Sequence, residues 1–465
     1  MKTKQNFIYL VLSITAFVIL FYNQRIGLNF GILGLLIWGL THYKFRKSKK
    51  GKSYWIHSIF IFIACAGQML YSDLYSFFAL FFSLISYGIH VQHSELNFVL
   101  YPLITGLNYI SFPVRIFTNK WIPTNKSKER FLMRKFLSFI LFPLLISIIF
   151  LTVYSSASQT MTDFFVNFKI DLNFPELIFL IFFGLFLFFN YWLLFVQNSI
   201  IKYNQKLKPE FDENNRSQTI LSAKTIDIDI QRTSGVITMS LLNVILLVFV
   251  IIYNYEQFFM DLDINRLSVD THTRVNSIIV SIILAIGIIL FYFHSFFNFD
   301  SKAGKLKKLS YLWLVLNTVL VLSAFIKTIE YINFYGLTHK RIGVLIFLSL
   351  CFTGMLYSFI KILKKKTNLF LINKMAFVFY SVFVLLSVVN FSWIVTKYNL
   401  KYIENVDYNY LTTLNYNYKI LSEIPEKDKE KVDFKLEKYD YAQYRMMKRP
   451  FLSQNLYFRF FGTAD

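Results

Sequence analysis

Runs of about twenty apolar residues, the length that crosses a hydrocarbon core as a helix, recur along this chain and are separated by short loops rich in lysine and arginine. Inside a bilayer only closed barrels and helices satisfy every backbone donor and acceptor, and runs of this length suit helices. The composition agrees: 55% of residues are hydrophobic and 16% charged, where soluble domains carry about 25% charged residues. The 54 phenylalanines and 30 tyrosines are too many for one water-soluble core, but they suit lipid-facing surfaces and interfacial belts. The expectation is an all-α polytopic transmembrane bundle.

A net charge of +22 raises nucleic acid as a partner, so the placement of the charge decides. The basic residues sit between apolar runs and not on one polar domain. That is the pattern of cytoplasmic loops in membrane proteins, and it argues against nucleic-acid binding. Cys65 and Cys351 both fall inside apolar runs, which excludes a disulfide framework.

The first run, 6–22, follows Lys2 and Lys4 and lacks a signal-peptide cleavage site. With 26–41 it forms a hairpin ending at Lys44, Arg46, Lys47, Lys49, Lys50 and Lys52. Runs 54–71 and 76–91 make a second hairpin, turned at Ser72-Asp73-Leu74-Tyr75. Segment 96–117 contains Pro102, Asn108, Pro113 and Arg115 and leads into a dense basic cluster ending at Arg134 and Lys135. A crossing there would place that cluster outside, so it is read as interfacial or re-entrant on the cytoplasmic side. Runs 135–154, 175–200, 233–254, 274–296, 310–332, 342–363 and 368–396 follow, giving about eleven crossings. Lysines at 202–208, 302–308 and 364–366 mark the inner side.

Four regions result: N-terminal hairpins over 1–95, the interfacial segment and basic loop over 96–134, a transmembrane core over 135–397, and an external tail over 398–465. The N-terminus is expected in the cytoplasm and the tail outside a bacterial inner membrane. In the tail, Asp407 is placed to cap a helix over 407–422 bearing Tyr410, Leu411, Leu414 and Tyr418 on one face. A second helix is expected over about 431–448, stopped by Pro450.

Chemistry is sparse. No Asp or Glu lies in the middle of a run, where coupled carriers place one. His57, His90, His93, His294, Lys327, Glu330 and Lys374 lie near run ends, where snorkelling accounts for them. His90, His93 and Glu95 are close enough in sequence to suggest a metal, but their spacing is not that of a zinc site, and histidines at a helix end are the simpler account. Lys327 and Glu330, three apart, can pair on one helix face. Asn190, Asn243, Asn317 and Asn390 are expected as interhelical hydrogen-bond groups, with a substrate path as the alternative. No catalytic set or cofactor motif is present, so catalysis is not expected and no cofactor is implied.

One segment is distinctive. Tyr331-Ile-Asn-Phe-Tyr-Gly-Leu-Thr-His-Lys-Arg341 resembles the Tyr-x-x-x-(Tyr/Phe)-Gly-Leu-Thr-x-x-Arg signature of a bacterial polytopic family known only as a domain of unknown function. Arg134-Lys135 with Pro143, His272-Thr-Arg274-Val-Asn, Asp407 to Leu411 and Phe451 to Asn455 are similar to further family stretches in the same order. In the second of these, His272 replaces a Tyr and a Gly-Phe is absent. The resemblance spans about 130–460 and implies Tyr335, Gly336, Leu337, Thr338, Arg341 and Arg274 as candidate binding residues. Gly336 permits a helix–helix turn, and Thr338 is placed to cap the next helix. A hairpin that sets two helices is the simpler role for this motif.

Two functions remain. One is a non-enzymatic sensory or accessory component that works with a membrane or regulatory protein partner in the lipid bilayer. The other is a permease for a small solute. A polar cavity lined by the asparagines would favour the permease, and a closed bundle the accessory protein.

Overall fold

A computed structural model of the protein describes residues 2–47, 50–118, 173–211, 225–259, 267–294, 296–425, 429–432 and 444–461. Its elements are helices and short 3-10 turns, with no strand among the described residues. They are α1 (Lys2–Phe21), α2 (Leu28–Lys44), α3 (Lys52–Tyr71), α4 (Leu74–Gln92), α5 (Tyr101–Thr118), α6 (Phe174–Trp192), α7 (Asn198–Lys206) and α8 (Thr225–Phe258). Then come α9 (Leu267–Tyr292), α10 (Gly304–Tyr335), α11 (His339–Leu363), α12 (Asn368–Leu386), α13 (Phe391–Tyr402), α14 (Tyr408–Thr413), α15 (Tyr418–Ser422) and α16 (Leu456–Phe461).

The long helices form two groups. Leu10, Phe17, Leu33, Ile61, Leu80, Tyr87 and Phe189 join α1, α2, α3, α4 and α6 around one core. Met239, Ile282, Leu320 and Leu348 join α8, α9, α10 and α11 around another. α12 bridges them: it packs beside α11 and α3, and its Val384 lies in the first core.

The helix ends sort into two faces. At one, the turns at 22–27, 71–74 and 336–339 meet the tail, and 173–176 meets the first of these turns. Tyr22 Oη accepts from Asn173 N, Leu28 N donates to Gln454 O at 2.9 Å, and His339 N donates to Tyr410 Oη at 3.0 Å. At the other lie the lysine-rich segments at 44–52, 202–208, 302–308 and 364–366. This sorting is what the alternation of apolar runs and basic loops predicts.

Seven described helices are long and apolar enough to cross a membrane, among them α3, α4, α6, α11 and α12. This number does not confirm the expected count of about eleven crossings. Two shorter apolar helices, Gln5–Phe21 and Val280–Tyr292, lie within α1 and α9 and coincide with the first run and with the described part of run 274–296. α2 has 17 residues, and run 135–154 lies outside the described residues.

Two expected helices are interrupted, the first by a side chain from elsewhere in the chain. Run 175–200 stops at Trp192, and α7 restarts at Asn198. In the gap the Asn108 amide accepts from Phe195 N at 2.9 Å and donates to Phe195 O at 2.8 Å, so it replaces both helical partners of that residue. Arg115, expected in the basic cluster, is instead 6% exposed and donates to Asn108 Oδ1, Asn190 Oδ1 and Leu193 O. Run 368–396 breaks at Ser387–Asn390. Gly67 of α3 lies against that break, where a Cβ would come within 2.5 Å of Ser387 O.

α5 meets the end of α6 and does not run its length. The Tyr109 ring packs tilted against Phe186, and Phe112 meets Phe186 and Phe189 edge to face. The tail is helical but more broken than expected. Asp407 caps α14 through Tyr410 N, yet Tyr416, at φ 62°, separates α14 from α15. Leu411, Leu414 and Leu421 are buried with Leu337 and Val395. Of the second expected tail helix, 433–443 lies outside the described residues and 444–447 is helical.

Candidate functional site

The break between α12 and α13 opens a cavity of about 310 Å³ at the tail end of the bundle. That is the lower end of the roughly 300–1,000 Å³ range of small-molecule sites. Tyr71, Asp73 and Tyr75 come from the α3–α4 turn, His339 and Ile342 from α11, Ser387, Asn390 and Ser392 from the broken helix, and Tyr416 from the tail. Both helix groups and the tail thus supply wall.

Local chemistry fixes each wall. Asp73 closes a capping box on α4: its Oδ1 accepts from Ser76 N at 2.7 Å, and Ser76 Oγ accepts from Asp73 N at 3.1 Å. Ser72 ends α3 at φ 51°, in the left-handed region. Asn390, expected to bridge helices in mid-span, instead caps α13 through Trp393 N and donates to Tyr416 O. Ser387 Oγ turns back to Val384 O at 2.7 Å and ends α12. Tyr416 Oη donates to Tyr71 O at 2.6 Å, and the two rings stand 5.2 Å apart at 58°. Burial first, and then the Asp73 carboxylate, raise the Tyr416 phenol above its ordinary value. His339 Nε2 lies 3.3 Å from Ser392 Oγ.

The distinctive motif builds the corner beside this cavity. Gly336 ends α10 at φ 81°, a left-handed conformation that suits glycine. Thr338 Oγ1 accepts from Arg341 N and caps α11, as its position predicts. Arg341 donates to Tyr335 O at 2.8 Å and to Gly336 O, and its guanidinium lies over the Tyr331 ring at 4.4 Å. Both carbonyls of the turn are thereby held by a side chain one helix on. Of the motif, His339 reaches the cavity wall, while Tyr335, Gly336, Leu337, Thr338 and Arg341 do not. Arg274 lies on α9, but its side chain is outside the described residues.

The remaining candidates disperse. His93 Nδ1 is 3.3 Å from Glu95, while the His90 ring lies 4.7 Å from that of His57. No group of three metal-ligating side chains converges among the described residues. His57, expected at an interface, is 2% exposed and its Nδ1 lies 3.1 Å from Ser86 Oγ. Lys327 pairs with Glu330 at 3.0 Å and also donates to Gln257 O. Asn317 donates to a carbonyl one turn back, at Trp313, while Asn243 donates both to Met239 O in its own helix and, as expected of an interhelical group, to Leu309 O of α10 at 3.0 Å. Asn190 lines a second cavity of about 20 Å³, room for about one water.

Sequence reasoning did not find Tyr71, Asp73, Tyr75 or Tyr416 as one group. Each reads locally as turn or belt, and only the tail's return across 345 positions joins Tyr416 to Tyr71.

The profile of a family described as a domain of unknown function, DUF4153, matches residues 53–419. Every residue of the cavity wall falls inside that range. No curated protein and no solved structure matches the chain.

Proposed function

This chain belongs to the DUF4153 family, and from that premise we propose that it is a non-enzymatic sensory or accessory component of a bacterial inner membrane. The apolar helices make it a multi-pass membrane protein. In this reading the lysine-rich end lies in the cytoplasm and the tail end outside, following the bias of basic loops. Segment 96–117 rests at the inner interface, a placement that its contacts with the last two turns of α6 support. A membrane or regulatory protein is the proposed partner.

The observation that carries the reading is the position of the cavity. It lies at one end of the bundle, under the tail, while the Nδ2 groups of Asn190, Asn243 and Asn317 donate to carbonyls one turn back in their own helices. A ligand held there is received and not passed on. The broken α12–α13 pair favours the permease as second reading, because interrupted helices line transporter sites.

Two measurements test this. After Cys65 and Cys351 are replaced, single cysteines at Ser48 and Ser127 should resist an impermeant thiol reagent in whole cells, and one at Glu423 should react. Labelling of the first two overturns the orientation. Sealed vesicles bearing the protein should take up labelled small solutes no faster than empty ones. Protein-dependent flux would decide for the permease.

A further inference from the structure

The lining of the tail-end cavity is unlike the rest of the chain in charge. The protein has 49 Lys and Arg against 27 Asp and Glu, yet among the described residues no Lys or Arg lines this cavity and Asp73 is its one carboxylate. Asp73 uses Oδ1 for the α4 cap, which leaves Oδ2 outside the capping box. Beside it stand the rings of Tyr71, Tyr75 and Tyr416, with Phe391 opposite on α13. The faces of such rings carry negative potential and attract cations, about 0.5–2 kcal/mol for each well-placed contact.

Three helices also begin at this cavity, and a bare helix N-terminus would favour an anion. Each of these is already capped by a side-chain oxygen: Asp73 on α4, Thr338 on α11 and Asn390 on α13. The positive pole is thus answered from within the fold. The C-terminal end of α12, at Leu386 and Ser387, lines the same space with its negative pole.

Resting on the ligand-receiving cavity proposed above, we propose that its ligand is recognised through a compact ammonium group, held by the Asp73 carboxylate and the faces of Tyr71, Tyr75 and Tyr416. The cavity volume limits the ligand to a small solute or the headgroup of an ammonium-bearing lipid.

The test uses the full-length protein in detergent, with thermal stabilisation as readout and choline, its neutral isostere 3,3-dimethylbutan-1-ol and inorganic phosphate as probes. Choline should raise Tm in a saturable way and the other two should not. Asp73→Asn keeps a good N-cap and should weaken choline about tenfold or more, with the apo Tm little changed. Tyr416→Phe keeps the ring and should retain binding, and Tyr416→Leu should lose it. Nanodiscs of phosphatidylglycerol, with and without phosphatidylethanolamine, separate the sources. A choline response abolished by phosphatidylethanolamine assigns the site to a lipid headgroup, and a response unchanged by it to a free solute.

Equal stabilisation by choline and its isostere, or stabilisation by phosphate alone, overturns ammonium recognition and leaves the cavity reading standing. Silence from all three probes also overturns it. A cysteine at Ser392 then decides the cavity reading itself: reaction with a small methanethiosulfonate from the tail side keeps it, and no reaction removes it.

Discussion

Asn399 of α13 holds Leu337 by both backbone groups: its Oδ1 accepts from Leu337 N at 2.6 Å and its Nδ2 donates to Leu337 O at 2.9 Å. One amide thus joins α13 to the turn between α10 and α11, in place of the strand or helix partner that a buried residue normally finds. Asn399→Leu leaves two buried groups unpaired, at about 1–3 kcal/mol each. Asn399→Asp loses the donor but keeps the acceptor, so its Tm in detergent should fall between that of the leucine variant and that of the native protein. Equal melting of all three would show that the clasp contributes nothing.

Gly336 sits against the same amide. A Cβ there would approach Asn399 Oδ1 to 2.8 Å, and φ is 81°. Gly336→Val should therefore reduce the yield of folded protein, by strain of about 1–3 kcal/mol plus the contact. Size-exclusion chromatography of the solubilised protein measures this. A native yield and melting temperature would return the motif to a ligand-binding role.

The end of the tail is fastened to the α1–α2 turn. Ser453 Oγ accepts from Arg25 N at 2.8 Å and donates to Gln24 Oε1 at 2.7 Å. Gly27 permits this approach, since a Cβ would lie 2.6 Å from Gln454 O. Gly27→Ala should loosen the segment and speed proteolysis between 425 and 450 in membranes oriented with the tail exposed. In the native protein the buried positions Leu411, Leu421 and Tyr457 should delay cutting at 407–424. Rapid native cutting there would remove the docked tail.

Arg115 is the fourth test. Its guanidinium bonds two amide oxygens and a carbonyl where α6 ends. Arg115→Met leaves those acceptors without their donor and should cost about 2–4 kcal/mol. Arg115→Lys keeps the charge without the planar fork and should recover only part of the loss. Denaturation midpoints of the purified variants give the order.

The sequence alone determined the class of the fold. Apolar runs of spanning length leave the backbone no partner but itself, so all-α architecture follows from composition and run length. Lysines between the runs sorted the helix ends into two faces before any contact was known. Capping is equally local: Asp407 and Thr338 act within three residues of themselves, and Gly336 takes the one conformation that its lack of a side chain favours. The breaks in runs 175–200 and 368–396 were not legible, because what packs against them lies far along the chain. Asn108 unwinds Phe195 from 87 positions away, and α3 reaches Ser387 through Gly67. The cavity wall is completed only where the tail returns Tyr416 to Tyr71. Periodicity and propensity record what a residue does to its own turn of helix. A site assembled from two helix groups and a tail depends on which turns meet, and only the tertiary structure decided that.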